Sequence, residues 1–170
     1  MSVSVCEEVI KHQEDALLSA DPVEIYEGTP AKVDFSRDPW YKTYYTMITT
    51  QVDEGPNFAG HYTFASWGCG TECLNYVIVD TITGKIAYIP PEKLHRQYPS
   101  YNVKSNIIVM NPKEDYRDLI GKTLEEIIVN EQFSSASWSR EYYEFIDDGV
   151  GEAWLPKVCG ENVLDGIVAY

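Results

Sequence analysis

Residues 67–73, WGCGTEC, contain two cysteines with three residues between them, and such a loop could support several kinds of chemistry. Thiol–disulfide catalysts generally separate their cysteines by two residues at the start of a helix, whereas a strand is predicted to follow this loop. A nucleophilic Cys69 between two glycines could bind an oxyanion through backbone N–H groups, with His61 as its base. The eight residues from His61 to Cys69 span ~26 Å in a strand, however, so the two side chains meet only if the chain folds back.

The same loop is a poor match for a metal site. Zinc takes four ligands, typically from two cysteine pairs or from cysteines with paired histidines. The loop offers Cys69 and Cys73, and the three histidines, His12, His61 and His95, belong to no such motif. We therefore predict neither a metal nor a cofactor.

A disulfide between Cys69 and Cys73 makes the fewest demands on the sequence. Gly70 lies inside the ring and supplies the backbone angles that so tight a loop requires. A ring this short stabilises the fold by only about 2 kcal/mol, so its main effect is to fix the shape of the loop.

The four cysteines allow three disulfide connectivities. A local pair at 69 and 73 leaves Cys6 to pair with Cys159, which would stabilise the fold by about 4–5 kcal/mol in the chain-entropy account. Disulfides imply an oxidising compartment. The sequence nevertheless begins MSVSVCEEV, without the basic and apolar regions of a signal peptide. Two interpretations stay open: a cytosolic protein with free thiols, or a mature exported form whose leader was replaced by a Met.

Five residues in this part of the chain are candidates for binding, and most have a plainer structural alternative. Asn57 could line a ligand site or serve a turn next to Pro56. His61 could titrate near neutral pH or be a hydrogen-bonded structural residue. Rigid exposed loops concentrate binding residues, so the disulfide loop could present Thr71 and Glu72 to a partner. Trp67, at the start of the loop, could join them or could pack in the core. The candidates are Asn57, His61, Trp67, Thr71 and Glu72.

Two helices are predicted before the motif, and a third after it. The first covers residues 2–20 and has a capping box at Ser4 and Glu7. The second begins at Asp38, with Pro39 at its first helical position, and runs to about residue 52. Helical periodicity returns at 115–131. The second helix is expected to bury five residues at helical spacing, namely Trp40, Tyr44, Met47, Ile48 and Val52.

Alternating and apolar runs predict strands through the rest of the chain. Short strands are expected in VEIYEG and AKVDF, followed by HYTFASW, CLNYVIVD, ITGKIAYI, KSNIIVMN and a hairpin from REYYEFI to EAWLPKV. The predicted fold class is α+β, with an antiparallel sheet and N-terminal helices packed on one side. We predict one domain over residues 1–170, comprising an N-terminal helix at 1–20, a sheet-based core at 23–157 and a C-terminal tail at 158–170.

The charge balance excludes some partners and favours others. The 170 residues include 13 Lys and Arg against 27 Asp and Glu, a formal net charge of −14. Phosphate would be repelled, so nucleic acid is not expected as a partner. No run approaches the roughly 18 apolar residues of a membrane span. The acidic surface either favours a basic protein partner or simply keeps the protein soluble.

The central motifs resemble those of a family of small secreted bacterial proteins without an assigned activity. The matching stretches are VD at 33–34, GPNFAGHY at 55–62, WGCGTEC at 67–73, IVD at 78–80 and TGK at 83–85. The segment SREYYEFIDDG is similar to the closing strand of that family, and the likeness covers roughly residues 23–150. The resemblance implies export to a bacterial periplasm and favours the mature-form interpretation, but it supplies no ligand. Residues 115–131 and the tail with Cys159 depart from the family pattern.

Taken together, these features favour a non-enzymatic secreted or periplasmic binding protein. Its most concrete form is an inhibitor or immunity-type partner that blocks another protein, such as a basic cell-wall hydrolase or toxin. The alternatives are a cysteine-dependent enzyme that uses Cys69 or His61, and a small-molecule binding module whose site lies beside the WGCGTEC loop.

Overall fold

A computed structural model describes residues 23–70, 73–90, 94–95, 99–110, 139–149 and 153–162. The helices predicted at 2–20 and 115–131 lie outside these residues. A 3₁₀ helix, Pro39–Tyr44, continues directly into an α-helix, α1, Tyr45–Asp53. The strands are β1 Tyr62–Gly70, β2 Cys73–Asp80, β3 Ile86–Tyr88, β4 Leu94–His95, β5 Ile107–Met110, β6 Ser139–Glu144 and β7 Lys157–Asn162.

The strands form two antiparallel sheets, which confirms the α+β class. In the first sheet the order is β1-β2-β3, with β4 also pairing with β2. In the second sheet the order is β5-β6-β7. Because β7 reaches residue 162, the second sheet extends into the stretch assigned to a C-terminal tail. None of the described helices is long and apolar enough to cross a membrane.

Both faces of the first sheet are buried, since side chains alternate along β1 and β2. One face packs against the helices through Ala65, Trp67, Val77 and Val79. The opposite face packs against the second sheet through a cluster rich in aromatic rings, which includes Tyr62, Phe64, Tyr76, Ile78 and Phe145. The fold therefore has three layers, with the β1–β2 hairpin in the middle. This position accounts for the nearly continuous apolar run that ends β2.

The helical segment begins as predicted but buries a different stripe. The Asp38 carboxylate accepts a hydrogen bond from the Trp40 N–H and so caps the 3₁₀ helix. Because a 3₁₀ helix has three residues per turn, the buried positions first repeat every three residues and then every four. The stripe is therefore Tyr41, Tyr44, Ile48 and Val52. The predicted burial of Trp40 and Met47 is wrong, and both side chains point outward.

The turn between β2 and β3 is built around one glycine. Gly84 has a φ of +74°, and a Cβ at this position would lie 2.0 Å from the carbonyl oxygen of Lys32. Its N–H donates to the Asp80 carbonyl, and its own carbonyl accepts from the Asp34 N–H. Only glycine combines this backbone conformation with so close an approach.

The two short strands predicted before the 3₁₀ helix do not form. In VEIYEG the structure has no strand, and AKVDF contributes only an isolated bridge between Asp34 and Lys85. Ala31 and Asp34 instead donate their backbone N–H groups to carbonyls of the β2–β3 turn. These contacts satisfy the backbone without a regular ladder, since the flanking Gly28 and Pro30 interrupt it.

Candidate functional site

Strand β1 lies at the edge of the first sheet, and two side-chain amides close part of that edge. The Asn57 amide accepts from the Phe64 N–H at 2.7 Å and donates to the Phe64 carbonyl at 3.3 Å. The amide of Gln51, which lies on α1, accepts from the Ser66 N–H and donates to the Ser66 carbonyl, both at 3.0 Å. Each amide thus replaces the donor and acceptor of a neighbouring strand. We call Asn57 and Gln51 the edge amides.

The edge is closed at regular intervals up to Ser66. Tyr62, at the start of β1, exchanges backbone hydrogen bonds with Phe58. Phe64 and Ser66 follow at two-residue steps and bind the edge amides. In an antiparallel edge strand every second residue directs both its N–H and its carbonyl outward, so the next such position is Gly68.

Within the part of the chain that the structure describes, the edge has no hydrogen-bond partner at Gly68, and we call the stretch from Gly68 to Gly70 the open edge. No side chain among the described residues makes a hydrogen bond to Gly68, which is exposed to solvent. A Cβ placed on Gly68 or on Gly70 would meet nothing within 4 Å. The pairing register shifts between these two residues, so Cys69 occupies a bulge. Unpaired backbone groups on an exposed edge can pair with another chain.

Trp67 lies immediately before the open edge but is buried, with 5% of its surface exposed. Its ring packs against Tyr44 at 4.6 Å between centroids and against Tyr41 at 6.1 Å. The indole Nε1 is also buried, and it has no hydrogen-bond acceptor within the part of the chain that the structure describes. Trp67 therefore joins the helices to the sheet, and a partner at the edge would not touch its ring directly.

The cysteine chemistry agrees with an oxidised protein. The described residues include no free cysteine, and both Cys69 and Cys159 are disulfide-bonded. In this form Cys69 has no thiolate, so it cannot act as the nucleophile of the enzyme alternative. The predicted pairings involve Cys6 and the side chain of Cys73, which lie outside the described residues, as do Thr71 and Glu72.

The helical segment exposes two large apolar side chains to solvent. Trp40 is 54% exposed and Met47 is 52% exposed. Met47 lies one turn before Gln51, whose amide reaches the edge at Ser66, so the two residues share a side of α1. Trp40 packs on Tyr44, which in turn packs on Trp67. We call Trp40 and Met47 the apolar flank.

His61 lies at the other end of the hairpin. Its carbonyl accepts hydrogen bonds from the N–H and the hydroxyl of Thr81. Its ring lies against Tyr62, and its Nε2 is 3.9 Å from the Asp80 carboxylate. Asp80 and Cys73 mark opposite ends of β2 in the pairing with β1, so His61 and Cys69 are separated by the length of the strand.

Tyr62 joins this end of the hairpin to the second sheet. Its hydroxyl donates to the Asp147 carboxylate at 2.8 Å. Burial, and then this hydrogen bond, raises the pKa of the Tyr62 hydroxyl, so the group stays protonated at neutral pH. Asp147 also accepts from the Gly149 N–H and is thereby fixed in a turn.

A cleft of about 360 Å³ opens between this end of the hairpin and the β2–β3 turn. Side chains of both charge signs line it, and we call it the polar cleft. Arg37 donates to the carbonyls of Ile86 and Ala87, which holds its guanidinium at the sheet. A hydrogen bond from the Ser36 N–H lowers the pKa of Asp34, and the nearby Lys85 lowers it further. The charged lining residues are Asp34, Arg37, Asp80, Lys85 and Asp147.

The polar cleft differs from both kinds of site considered from the sequence. It lies at the opposite end of β1 from WGCGTEC, whereas the small-molecule alternative expected a site beside that loop. The described residues contain no group of three or more His, Cys, Asp or Glu side chains placed to hold a metal ion. The mixed charges that line the polar cleft instead match a small molecule that carries both charge signs.

The structure describes three of the five candidate binding residues, Asn57, His61 and Trp67, and places them at separate positions along the β1 edge; Thr71 and Glu72 lie outside the described residues. Asn57 closes the edge, Trp67 packs beneath the helices, and His61 stands at the far end. Sequence reasoning missed Gln51, and it missed the apolar flank because it assumed a uniform α-helix. A polar residue that interrupts an apolar stripe, as Gln51 does beside Ile48 and Val52, is the local pattern that could have indicated the edge contact.

Comparisons with models of protein families, with curated proteins and with solved structures found no match to this chain. The resemblance of its motifs to a secreted bacterial family therefore stays a prediction.

Proposed function

We propose that this chain is a secreted or periplasmic binding protein that attaches to a basic protein partner through the apolar flank. The observation that supports this most strongly is the exposure of Trp40 and Met47 on one short helical segment. Tryptophan and methionine are enriched at protein interfaces, and tryptophan is prominent among residues whose truncation weakens binding.

The helical segment has enough support to present these side chains rigidly. The same segment buries Tyr41, Ile48 and Val52 against the first sheet. Trp40 also makes edge contacts with Tyr41 and Tyr44, at 5.0 and 5.1 Å between ring centroids. A side chain that is already ordered loses less conformational entropy on binding, so the flank is suited to an interface.

The net charge of −14 sets the kind of partner. An acidic protein attracts a basic one over about 10 Å at 0.1 M salt, and the attraction speeds association more than it strengthens the final contact. The proposed role is that of an inhibitor or immunity-type protein, which blocks the function of its partner by covering its surface. Disulfides at Cys69 and Cys159 agree with a role in an oxidising compartment.

The test compares variants of two exposed tryptophans in a capture experiment. Wild-type protein is immobilised and exposed to a bacterial periplasmic extract at low salt, and the retained proteins are identified by mass spectrometry. We expect a basic protein to be retained, and we expect the double variant Trp40→Ala/Met47→Ala to retain at least about tenfold less of it. Trp154→Ala is the matched control, because Trp154 is 44% exposed but belongs to another surface.

Two outcomes would contradict this proposal. If the double variant and Trp154→Ala retain the same proteins in the same amounts, then the apolar flank is not the contact. If no basic protein is retained by wild-type protein, or if the retained set is unchanged at about 1 M salt, where screening is nearly complete, then charge does not select the partner.

A second candidate function is the binding of a small zwitterionic solute, and the polar cleft favours it. The cleft offers the Lys85 ammonium and the Asp34 and Asp147 carboxylates within one space of about 360 Å³. Titration calorimetry with free arginine, lysine and glutamate tests this candidate. Binding of one of them that is weakened in Lys85→Ala would support it, whereas the absence of heat with all three at millimolar concentration would contradict it.

A further inference from the structure

We propose that the partner binds as an extended strand along the open edge of β1, with its backbone paired to Gly68. This inference rests on the proposed function, since it states how the partner would be held. Strand addition to a sheet edge provides affinity through main-chain hydrogen bonds and specificity through adjacent side-chain pockets.

The closure of the β1 edge ends at Ser66. Tyr62, Phe64 and Ser66 direct their backbone groups outward, and each has a partner from this chain. Gly68 is the next outward position, and no described side chain covers it. Closing an edge with side chains is a known means of preventing unwanted strand pairing, so an interruption at one end leaves a defined place for it.

The sheet is unobstructed beside the two glycines of the open edge. Gly68 and Gly70 carry no side chains, and the positions where Cβ atoms would lie are empty to 4 Å. Because Cβ atoms project out of the sheet plane, the sheet faces beside these glycines have room for the side chains of an added strand. The disulfide at Cys69 restrains the bulge between the two glycines, which reduces the entropy lost when a strand adds there.

The apolar flank belongs to the same helical segment that supplies Gln51 to the edge. Gln51 reaches Ser66 from α1, and Met47 lies one turn earlier on the same side of that helix. A chain that continues the line of the edge past Ser66 therefore passes beside Met47 and towards Trp40. Its outward side chains could pack on the flank while its backbone pairs with Gly68.

The occupant is an extended segment of a basic protein rather than a second copy of this chain. Two copies would each contribute a net charge of −14, and bringing them edge to edge would oppose pairing. A segment that alternates Lys or Arg with β-branched residues satisfies both the charge and the pleat of the edge.

The experiment uses a fluorescent peptide of about ten residues that alternates Lys and Val, a length typical of a long strand. Gly68→Pro removes the outward N–H, whereas Gly68→Ala retains it and fills only open space. We expect Gly68→Ala to bind the peptide like wild-type protein and Gly68→Pro to bind at least about tenfold more weakly, the effect of losing main-chain hydrogen bonds. Near-ultraviolet circular dichroism of Trp67 and its neighbours checks that both variants fold.

A second peptide tests the same contact without altering the protein. It has the same sequence and charge, but alternate backbone nitrogens are methylated, so it cannot add to a sheet. We expect at least about tenfold weaker binding of this peptide to wild-type protein. If the two peptides bind equally, or if Gly68→Pro and Gly68→Ala bind the first peptide equally, strand addition is wrong.

The failure of this inference can be separated from the failure of the proposed function. Retention of the basic partner that depends on Trp40 and Met47 but not on the N–H of Gly68 would overturn strand addition and leave the function standing. Peptide binding that depends on Gly68 while the flank variant still retains every partner would leave the edge as a binding site and overturn the role of the flank.

Discussion

Replacing Asn57 by alanine tests whether a side-chain amide acts as the missing neighbour of β1. The change would remove both hydrogen bonds to Phe64, at 2.7 and 3.3 Å. Phe64 is completely buried, so water cannot replace the lost partners. An unsatisfied buried backbone group costs about 1–3 kcal/mol. Because the longer bond is the weaker one, we expect the free energy of unfolding to fall by about 2–4 kcal/mol.

Gln51→Ala is the matched control for this change. Gln51 also makes two hydrogen bonds to one residue, but Ser66 is half-buried and its backbone can reach water after the substitution. We therefore expect a smaller loss of about 0.5–1.5 kcal/mol, the ordinary net contribution of a hydrogen bond. Urea unfolding, followed by tryptophan fluorescence, measures both variants against wild-type protein.

Two results of these unfolding experiments would refute the proposed role of the edge amides. If Asn57→Ala costs no more than Gln51→Ala, then burial of Phe64 does not govern the energy of the edge. If neither variant loses stability, the amides do not replace a neighbouring strand. Gly68 would then not differ from Phe64 and Ser66 in the way that the proposed strand addition requires.

Three further predictions concern stability. Tyr41→Ala should cost about 3–5 kcal/mol and Trp40→Ala less than about 1 kcal/mol, because only Tyr41 is buried; urea unfolding that ranks them in the opposite order would refute the assigned stripe. Gly84→Ala should cost at least about 2 kcal/mol because of its positive φ and the Lys32 carbonyl, whereas Gly68→Ala should be nearly neutral; equal melting temperatures would contradict this. Burial raises the pKa of several tyrosines in the folded state, so the unfolded chain releases those protons first as the pH rises. The free energy of unfolding should therefore be constant below about pH 10 and fall above it, by up to about 1.4 kcal/mol per pH unit for each such tyrosine. Urea unfolding between pH 8 and pH 11, with tyrosinate absorbance as the measure of ionisation, checks this, and a flat profile would contradict it. The tyrosines are Tyr41, Tyr62, Tyr76, Tyr88, Tyr101 and Tyr143.

The central hairpin could be predicted because its determinants are local. Alternation along HYTFASW and the apolar run CLNYVIVD indicate strands, and the structure places β2 at Cys73–Asp80, the same residues. The turn at 83–84 depends on a glycine that is visible in the sequence. The start of the helical segment was equally local, because Asp38 and Pro39 are a cap and a first-turn residue.

The helical stripe could not be predicted by assuming one helical period. The six residues of 3₁₀ geometry rotate the phase enough to exchange Trp40 for Tyr41 at the buried face. Such a segment is stabilised by packing, here by Tyr41 and Tyr44 against Trp67, which lies more than twenty residues later in the sequence. The residues that define the apolar flank became evident only with that packing.

The candidate site depends on contacts between distant parts of the chain, which a single sequence does not reveal. Gln51 and Ser66 are fifteen residues apart, and the polar cleft joins Asp34, Lys85 and Asp147 from three separate segments. The sequence did single out Asn57 and the WGCGTEC loop. It did not show how the two are related. Asn57 closes the edge of β1 at Phe64, and the WGCGTEC loop contains Gly68, where the described part of that edge is open.

Residue-resolved amide hydrogen exchange measures the state of that edge directly. In the free protein, the N–H groups of Phe64 and Ser66 should exchange slowly because the edge amides bind them, and the N–H of Gly68 should exchange rapidly. Addition of the Lys–Val peptide should slow exchange at Gly68 alone among these three positions. Protection of Gly68 equal to that of Phe64 in the free protein, or no change at Gly68 when the peptide binds, would contradict the account.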